Sequence, residues 1–141
     1  MTPIVIDANV TIKWLLPHRP EESDISNALL VFDQIGSQQV IMRQPPHFFA
    51  EVMAVVARLE PDYADRVFLA LRKMEISVVD RSEVYRTAIR LSVQLKHHLF
   101  DTLYHAVALE TSGATFITAD EAYYRKAEGH GRILLLKDYA G

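Results

Sequence analysis

The order of apolar and polar residues predicts strands and helices that alternate along the chain. Ile4, Val5 and Ile6 are consecutive β-branched residues, a run typical of a strand buried on both faces in a parallel sheet. Asp7 ends this strand, and the apolar stretch around Trp14 predicts a short helix behind it. Similar patterns and their turn residues predict further strands at residues 39–42, 76–80, 114–118 and 133–136. They predict further helices at residues 21–35, 48–59, 63–74, 82–96, 101–111 and 120–127.

This alternation favours a parallel sheet covered by helices on both faces. The helix at residues 21–35 is amphipathic, and we expect Ile25, Ala28, Leu29 and Phe32 on its apolar face. With 141 residues and no linker or repeat, the chain is expected to form a single α/β domain, residues 1–141.

The composition limits where the protein is expected to act and which binding sites it can form. The first strand begins so early that no signal peptide is expected, and no apolar run reaches the length of a membrane span. The chain contains no cysteine, which excludes disulfides and thiolate metal sites and fits a cytoplasmic protein. The net charge is −3, so binding to nucleic acid would need a confined basic patch or metal ions that neutralise acidic residues.

Three aspartates occupy positions at which helices begin. Asp7 and Asp120 follow predicted strands, and Asp101 opens a helix. Because the carboxyl ends of neighbouring parallel strands lie at one edge of a sheet, we expect these carboxylates to converge there. Aspartate is also a common helix cap, so a capping role is as compatible with Asp7 as a functional one and is favoured for Asp101 and Asp120 when each is taken alone.

Glu51 is the only charged residue in the apolar run 48–57. A helical projection places it at the border of the apolar face, where an unpaired carboxylate is costly. An ion pair with Arg58 would compensate its charge, and so would a metal ion. Clustered carboxylates without thiolates suit hard divalent cations such as magnesium or manganese.

Other catalytic motifs are absent from the sequence. The six histidines show no metal-binding spacing such as HExxH, which favours surface or structural roles for them. There is no GxxxxGK or GxGxxG loop, which argues against P-loop and dinucleotide-binding enzymes. The lack of a GxSxG elbow argues against an α/β-hydrolase.

Four segments in this order resemble the PIN-domain family, and the short chain resembles the VapC toxins within it. The segments are residues 4–9 (IVIDAN), Glu51 in its apolar helix, residues 101–110 (DTLYHAVALE) and residues 118–120 (TAD). The resemblance covers nearly the whole chain. It implies a three-layer α/β/α fold with a central five-stranded parallel sheet.

The resemblance also implies a function, that of a magnesium- or manganese-dependent endoribonuclease of a toxin–antitoxin pair. Asp120 completes the family's acidic metal-binding and catalytic set, which here comprises Asp7, Glu51, Asp101 and Asp120. Asn9 and Thr118 match polar residues that orient the acids or the substrate. Expected partners are RNA, a cognate antitoxin and a second copy of the chain, and the apolar helices around 25–32 and 48–59 are the expected contact surfaces.

Two other functions remain open at the level of sequence. One is a non-catalytic regulatory or binding module in which the acids only cap helices. The other is a phosphatase of the aspartyl-phosphate type, because Asp7 follows the first strand. Such phosphatases typically carry a second acid two residues later, where this chain has Asn9.

Overall fold

A computed structural model describes residues 1–19 and 23–141. Five parallel strands form one sheet in the order β3-β2-β1-β4-β5. The strands are β1 Thr2–Ile6, β2 Val40–Gln44, β3 Ile76–Val78, β4 Thr115–Thr118 and β5 Ile133–Leu135. The first strand therefore lies at the centre of the sheet, between β2 and β4.

Seven α-helices in the described part of the chain cover this sheet in a three-layer α/β/α arrangement. They are α1 Ala8–Leu15, α2 Ile25–Gly36, α3 Phe48–Leu59, α4 Ala64–Lys73, α5 Ser82–Leu95, α6 Leu99–Leu109 and α7 Glu121–Ala127. Of these, α6 packs on the central strands, and α5 packs against α6. None of the helices in residues 1–19 and 23–141 combines the length and the apolar character needed to cross a membrane.

The central strand is buried on both faces, as its sequence predicts. Ile4, Val5 and Ile6 are at most 4% exposed. The core continues into α3 and α6 with Phe48 and Tyr104, which are completely buried. Asp7 follows directly after this buried strand and is itself partly buried.

Gln44 is an uncharged polar residue buried completely in this core. The pairing of Ile4 with Met42 would place Gln44 opposite Ile6. The side-chain nitrogen of Gln44 donates to the Ile6 carbonyl, and its side-chain oxygen accepts from the Ile6 amide, both at 2.8 Å. These two bonds take the place of the backbone hydrogen bonds that would otherwise join the two strands here. The side chain therefore extends the pairing of β1 and β2 up to the residue before Asp7.

The structure corrects several details predicted from sequence. The helix around Asp101 begins at Leu99 rather than at residue 101, and β2 runs to Gln44. The predicted helix at residues 21–35 begins at Ile25 in the described chain, and residues 21–22 lie outside the described residues.

The inward face of α2 also differs from the prediction. Ala28 and Val31 are completely buried, whereas Leu29 and Phe32 are 42% and 46% exposed. Of the four residues predicted for this face, Ala28 is buried and Ile25 is partly buried, and Val31 lies inward in place of Leu29 and Phe32.

Candidate active site

Asp7 lies at the carboxyl edge of the sheet, where β1 and β4 are neighbours. Its backbone amide donates to the Ile117 carbonyl at 3.0 Å. The Thr118 hydroxyl, at the end of β4, donates to Asp7 Oδ2 at 2.8 Å and accepts from the backbone amide of Asp120 at 3.0 Å. Thr118 thus joins the two acids that follow neighbouring strands. Asn9 adds a second link, because its side-chain oxygen accepts from the Ala119 amide at 3.3 Å.

The electrostatic surroundings of Asp7 disfavour its charged form. Burial raises the pKa of its carboxyl to about 7, against the lowering effect of the Thr118 hydrogen bond. The negative charges of Asp101 and Glu51 contribute to this rise. Three of the predicted acids therefore lie close enough to repel one another in the absence of a cation.

Glu51 is held by two residues of its surroundings. The Tyr104 hydroxyl donates to Glu51 Oε1 at 2.6 Å, and His47 Nε2 lies 3.3 Å from the same oxygen. Burial raises the pKa of Glu51, but these hydrogen bonds outweigh it, so the pKa lies below 4.5. The partner considered from sequence was Arg58. The described structure instead pairs Glu51 with Tyr104 and His47.

Asp101 lies in the first turn of α6 and contacts a histidine. His97 Nε2 lies 2.8 Å from Asp101 Oδ2, and His97 Nδ1 lies 3.3 Å from Lys126 Nζ. Sequence analysis favoured surface or structural roles for the histidines and so missed His97. His97 lies in the loop between α5 and α6, so no helical spacing in the sequence connects it with Asp101. His105 does have a structural role, since its ring nitrogens bond the Tyr123 hydroxyl and the Gly131 carbonyl.

The helix-cap interpretation applies to only one of the three aspartates. Asp120 Oδ1 accepts from the Tyr123 amide at 3.0 Å and caps α7. Asp7 stands at the N-cap position of α1, but its side chain makes no cap hydrogen bond. At α6 the cap position is occupied by His98, and Asp101 lies inside the helix.

The donor set fits a divalent cation. Asp101 and Asp120 each place a carboxylate oxygen within 4.8 Å of the other and of a ring nitrogen of His97, which lies beside them as the hydrogen-bond partner of Asp101. Asp7 and Glu51 are not part of this compact group, but Asp7 is linked to Asp120 through Thr118 and interacts electrostatically with Asp101. Carboxylate oxygens are the ligands preferred by magnesium and manganese, and a cation would relieve their mutual repulsion.

Two tyrosines that sequence analysis did not select border the acids. Burial and the Glu51 carboxylate raise the pKa of Tyr104, and burial and the Asp101 charge raise the pKa of Tyr123. Both phenols therefore remain protonated and can donate hydrogen bonds. Their apolar sequence context gives no sign of this role.

A family model for the PIN domain matches residues 4–129. The chain belongs to the PIN domain family. PIN domains are nucleases, and they generally use divalent metals. The chain has no match among curated proteins.

Two solved structures share the fold of this PIN domain. One is VapBC2 from Rickettsia felis bound to a DNA fragment from its promoter, with 12% identity, a TM-score of 0.66, and 94% of this chain and 96% of that chain covered. The other is a toxin–antitoxin complex from Klebsiella pneumoniae, with 15% identity, a TM-score of 0.69, and 96% and 98% covered. Identities this low show likeness of fold alone.

Proposed function

We propose that this PIN domain is a magnesium- or manganese-dependent endoribonuclease. The observation that carries the proposal is the convergence of acids at the carboxyl edge of the sheet, where burial and neighbouring carboxylates raise the pKa of Asp7 to about 7. Such a cluster is electrostatically unfavourable when empty and becomes favourable around a cation.

The metal ligands proposed are the carboxylates of Asp7, Glu51, Asp101 and Asp120. These carboxylates would hold a divalent ion, which would supply an activated water and stabilise the charge that develops on the phosphodiester. The protein's own groups orient these ligands: Thr118 holds Asp7, and Asn9 holds the loop after β4. Tyr104 and His47 keep Glu51 ionised and fix its position.

We further propose that the chain is the toxin of a toxin–antitoxin pair and acts on RNA in the cytoplasm. The family and the likeness in fold to VapBC2 and to a toxin–antitoxin complex support this assignment. The expected partners are a cognate antitoxin and a second copy of the chain. Exposed apolar residues on α2 offer one surface for such contacts.

The first experiment measures melting temperature and RNA cleavage in EDTA, magnesium and manganese. We expect both metals to raise the melting temperature and to switch on cleavage of a structured RNA mixture. Asp101→Asn should reduce cleavage at least about a hundredfold, because it removes a charged ligand while leaving a hydrogen-bond acceptor for His97.

Asp62→Asn is the matched control, since Asp62 is exposed in the turn before α4. Its cleavage and its metal response should equal those of the wild type. If metal changes neither stability nor cleavage in the wild type, the acids are structural and the chain is a binding module.

A further inference from the structure

A depression beside the acids carries several basic side chains. We call it the basic pocket, and it is an open depression with a volume of about 590 Å³. It is lined by Ser92, Lys96, His97, His98, Leu99 and Lys126. Four of these six residues can carry positive charge.

The basic pocket adjoins the proposed metal site through His97. The ring of His97 contacts Asp101 Oδ2 at 2.8 Å through Nε2 and Lys126 Nζ at 3.3 Å through Nδ1. Because the Lys126 ammonium can only donate, this arrangement assigns the proton of a neutral His97 to Nε2, facing Asp101. His97 therefore lies between the Lys126 ammonium and Asp101, which is one of the proposed metal ligands.

The lysines of the basic pocket are not neutralised by acidic partners. Lys96 and Lys126 are exposed, and neither forms an ion pair with any carboxylate of residues 1–19 and 23–141. By contrast, Lys137 is paired with Glu121 at 2.9 Å. In a chain of net charge −3, two unpaired ammonium groups at one depression form a local positive site of the kind that RNA binding requires.

Lys96 lies at the end of a helix, where the chain turns towards α6. Helix α5 ends there, with Lys96 in the left-handed conformation at φ 52°. Glycine is the residue ordinarily favoured at such a helix end. Asp24, Gln38 and Arg132 adopt the same backbone region, so the conformation sets the direction of the Lys96 side chain but does not by itself point to a ligand.

We propose that the basic pocket binds a backbone phosphate of the RNA strand next to the phosphodiester that is cleaved, through Lys96 and Lys126. This inference rests on the proposed ribonuclease function. One strand would then lie across both sites, with the reacting phosphate at the acids and its neighbour at the lysines. The lysines contribute binding and placement of the substrate, and they take no part in the chemical step.

Binding is tested apart from cleavage, in an Asp7→Asn background that should bind RNA without cutting it. The affinity for labelled single-stranded RNA is measured by fluorescence anisotropy in magnesium over a series of KCl concentrations. The variant Lys96→Asn/Lys126→Gln should weaken binding about tenfold and reduce the slope of log affinity against log salt by about 1.4, or about 0.7 for each lysine. Asparagine tolerates the left-handed conformation at position 96.

Lys73→Gln is the matched control, because Lys73 is an exposed lysine at the end of α4, where the chain enters β3 at the opposite edge of the sheet. It should leave the salt slope unchanged. Lys126→Gln alone should reduce the salt slope by about 0.7, half the change expected for the double variant. This single variant keeps the test valid if the double variant folds poorly.

Cleavage is then measured in the chain with Asp7 intact. The double variant should raise KM about tenfold, keep kcat within about twofold, and keep the wild-type rise in melting temperature with manganese. If the wild type cleaves RNA but the double variant has an unchanged KM and salt slope, the proposed phosphate site is wrong and the proposed ribonuclease function is retained. Lysine-dependent RNA binding without any metal-dependent cleavage by the wild type would overturn the ribonuclease and leave the phosphate site standing.

Discussion

At the scale of single residues, Asp7 links the stability of the fold to the function of the site. Its pKa of about 7 in the folded protein exceeds the ordinary value of 3.8. Between these values the folded state binds more protons than the unfolded state, so the free energy of unfolding falls as pH rises and levels off above about pH 7. The ionised Asp7 of the metal-free protein is therefore destabilising at neutral pH, and metal binding offsets this effect.

We expect Asp7→Asn to be more stable than the wild type at pH 8 in EDTA, by up to about 4 kcal/mol for a rise of about three pKa units. The difference should shrink towards zero below about pH 3, where the wild-type carboxyl is protonated in both states. Urea unfolding at several pH values measures it. Burial lowers the pKa of His105, which destabilises the fold in acid, but this effect cancels when the two proteins are compared at the same pH. A stability difference that does not vary with pH would contradict the prediction.

At the scale of secondary-structure elements, the junction of β1 and β2 depends on one side chain. Gln44 satisfies both backbone groups of Ile6 inside the core, at the residue before Asp7. Its own carbonyl accepts from the Val79 amide at 2.8 Å. The end of the central strand, and with it the position of Asp7, therefore relies on a buried amide rather than on the regular ladder.

Replacing Gln44 with leucine should reduce the free energy of unfolding by about 2–4 kcal/mol. The substitution leaves the amide and the carbonyl of Ile6 buried without partners, and each unsatisfied group costs about 1–3 kcal/mol. Urea denaturation of the metal-free protein provides the measurement. Gln94→Leu, on the exposed surface of α5, is the control and should change stability by no more than about 0.5 kcal/mol. Equal stability of the two variants would show that Ile6 finds other partners.

At the scale of the whole molecule, the exposed apolar side chains indicate a contact surface. Leu29 and Phe32 on α2 are about half exposed, and the Phe32 ring packs edge-on against Trp14 with centroids 5.1 Å apart. Exposed apolar residues that lie together on one helix are typical of protein interfaces. The expected occupant of this surface is the cognate antitoxin.

Leu29→Glu should weaken binding of the cognate antitoxin at least about tenfold, as measured by calorimetry with the purified partner. Leu29 is preferred to Phe32 because it does not support Trp14. Ile89→Glu makes the same change in charge at another exposed apolar pair, Ile89 and Val93 on α5, and should leave the affinity unchanged if α2 is the antitoxin surface. Wild-type affinity in Leu29→Glu would place the antitoxin elsewhere on the molecule.

The sequence by itself determined the local architecture and the positions of the four acids along the chain. The bounds of α3 and the double burial of β1 were predicted correctly because each depends on side-chain periodicity and turn residues within a short segment. The parallel arrangement also followed, since alternating strands and helices allow few other topologies.

Only the tertiary structure decided what each of these side chains contacts. Glu51 is held by Tyr104, 53 residues away, and Gln44 is bonded to Ile6 over 38 residues. Lys126 reaches His97 across 29 residues, which joins the basic pocket to the acids. Such contacts depend on how helices and strands are packed together. A local pattern of apolar and polar residues carries no information about which residues far apart in the chain come into contact.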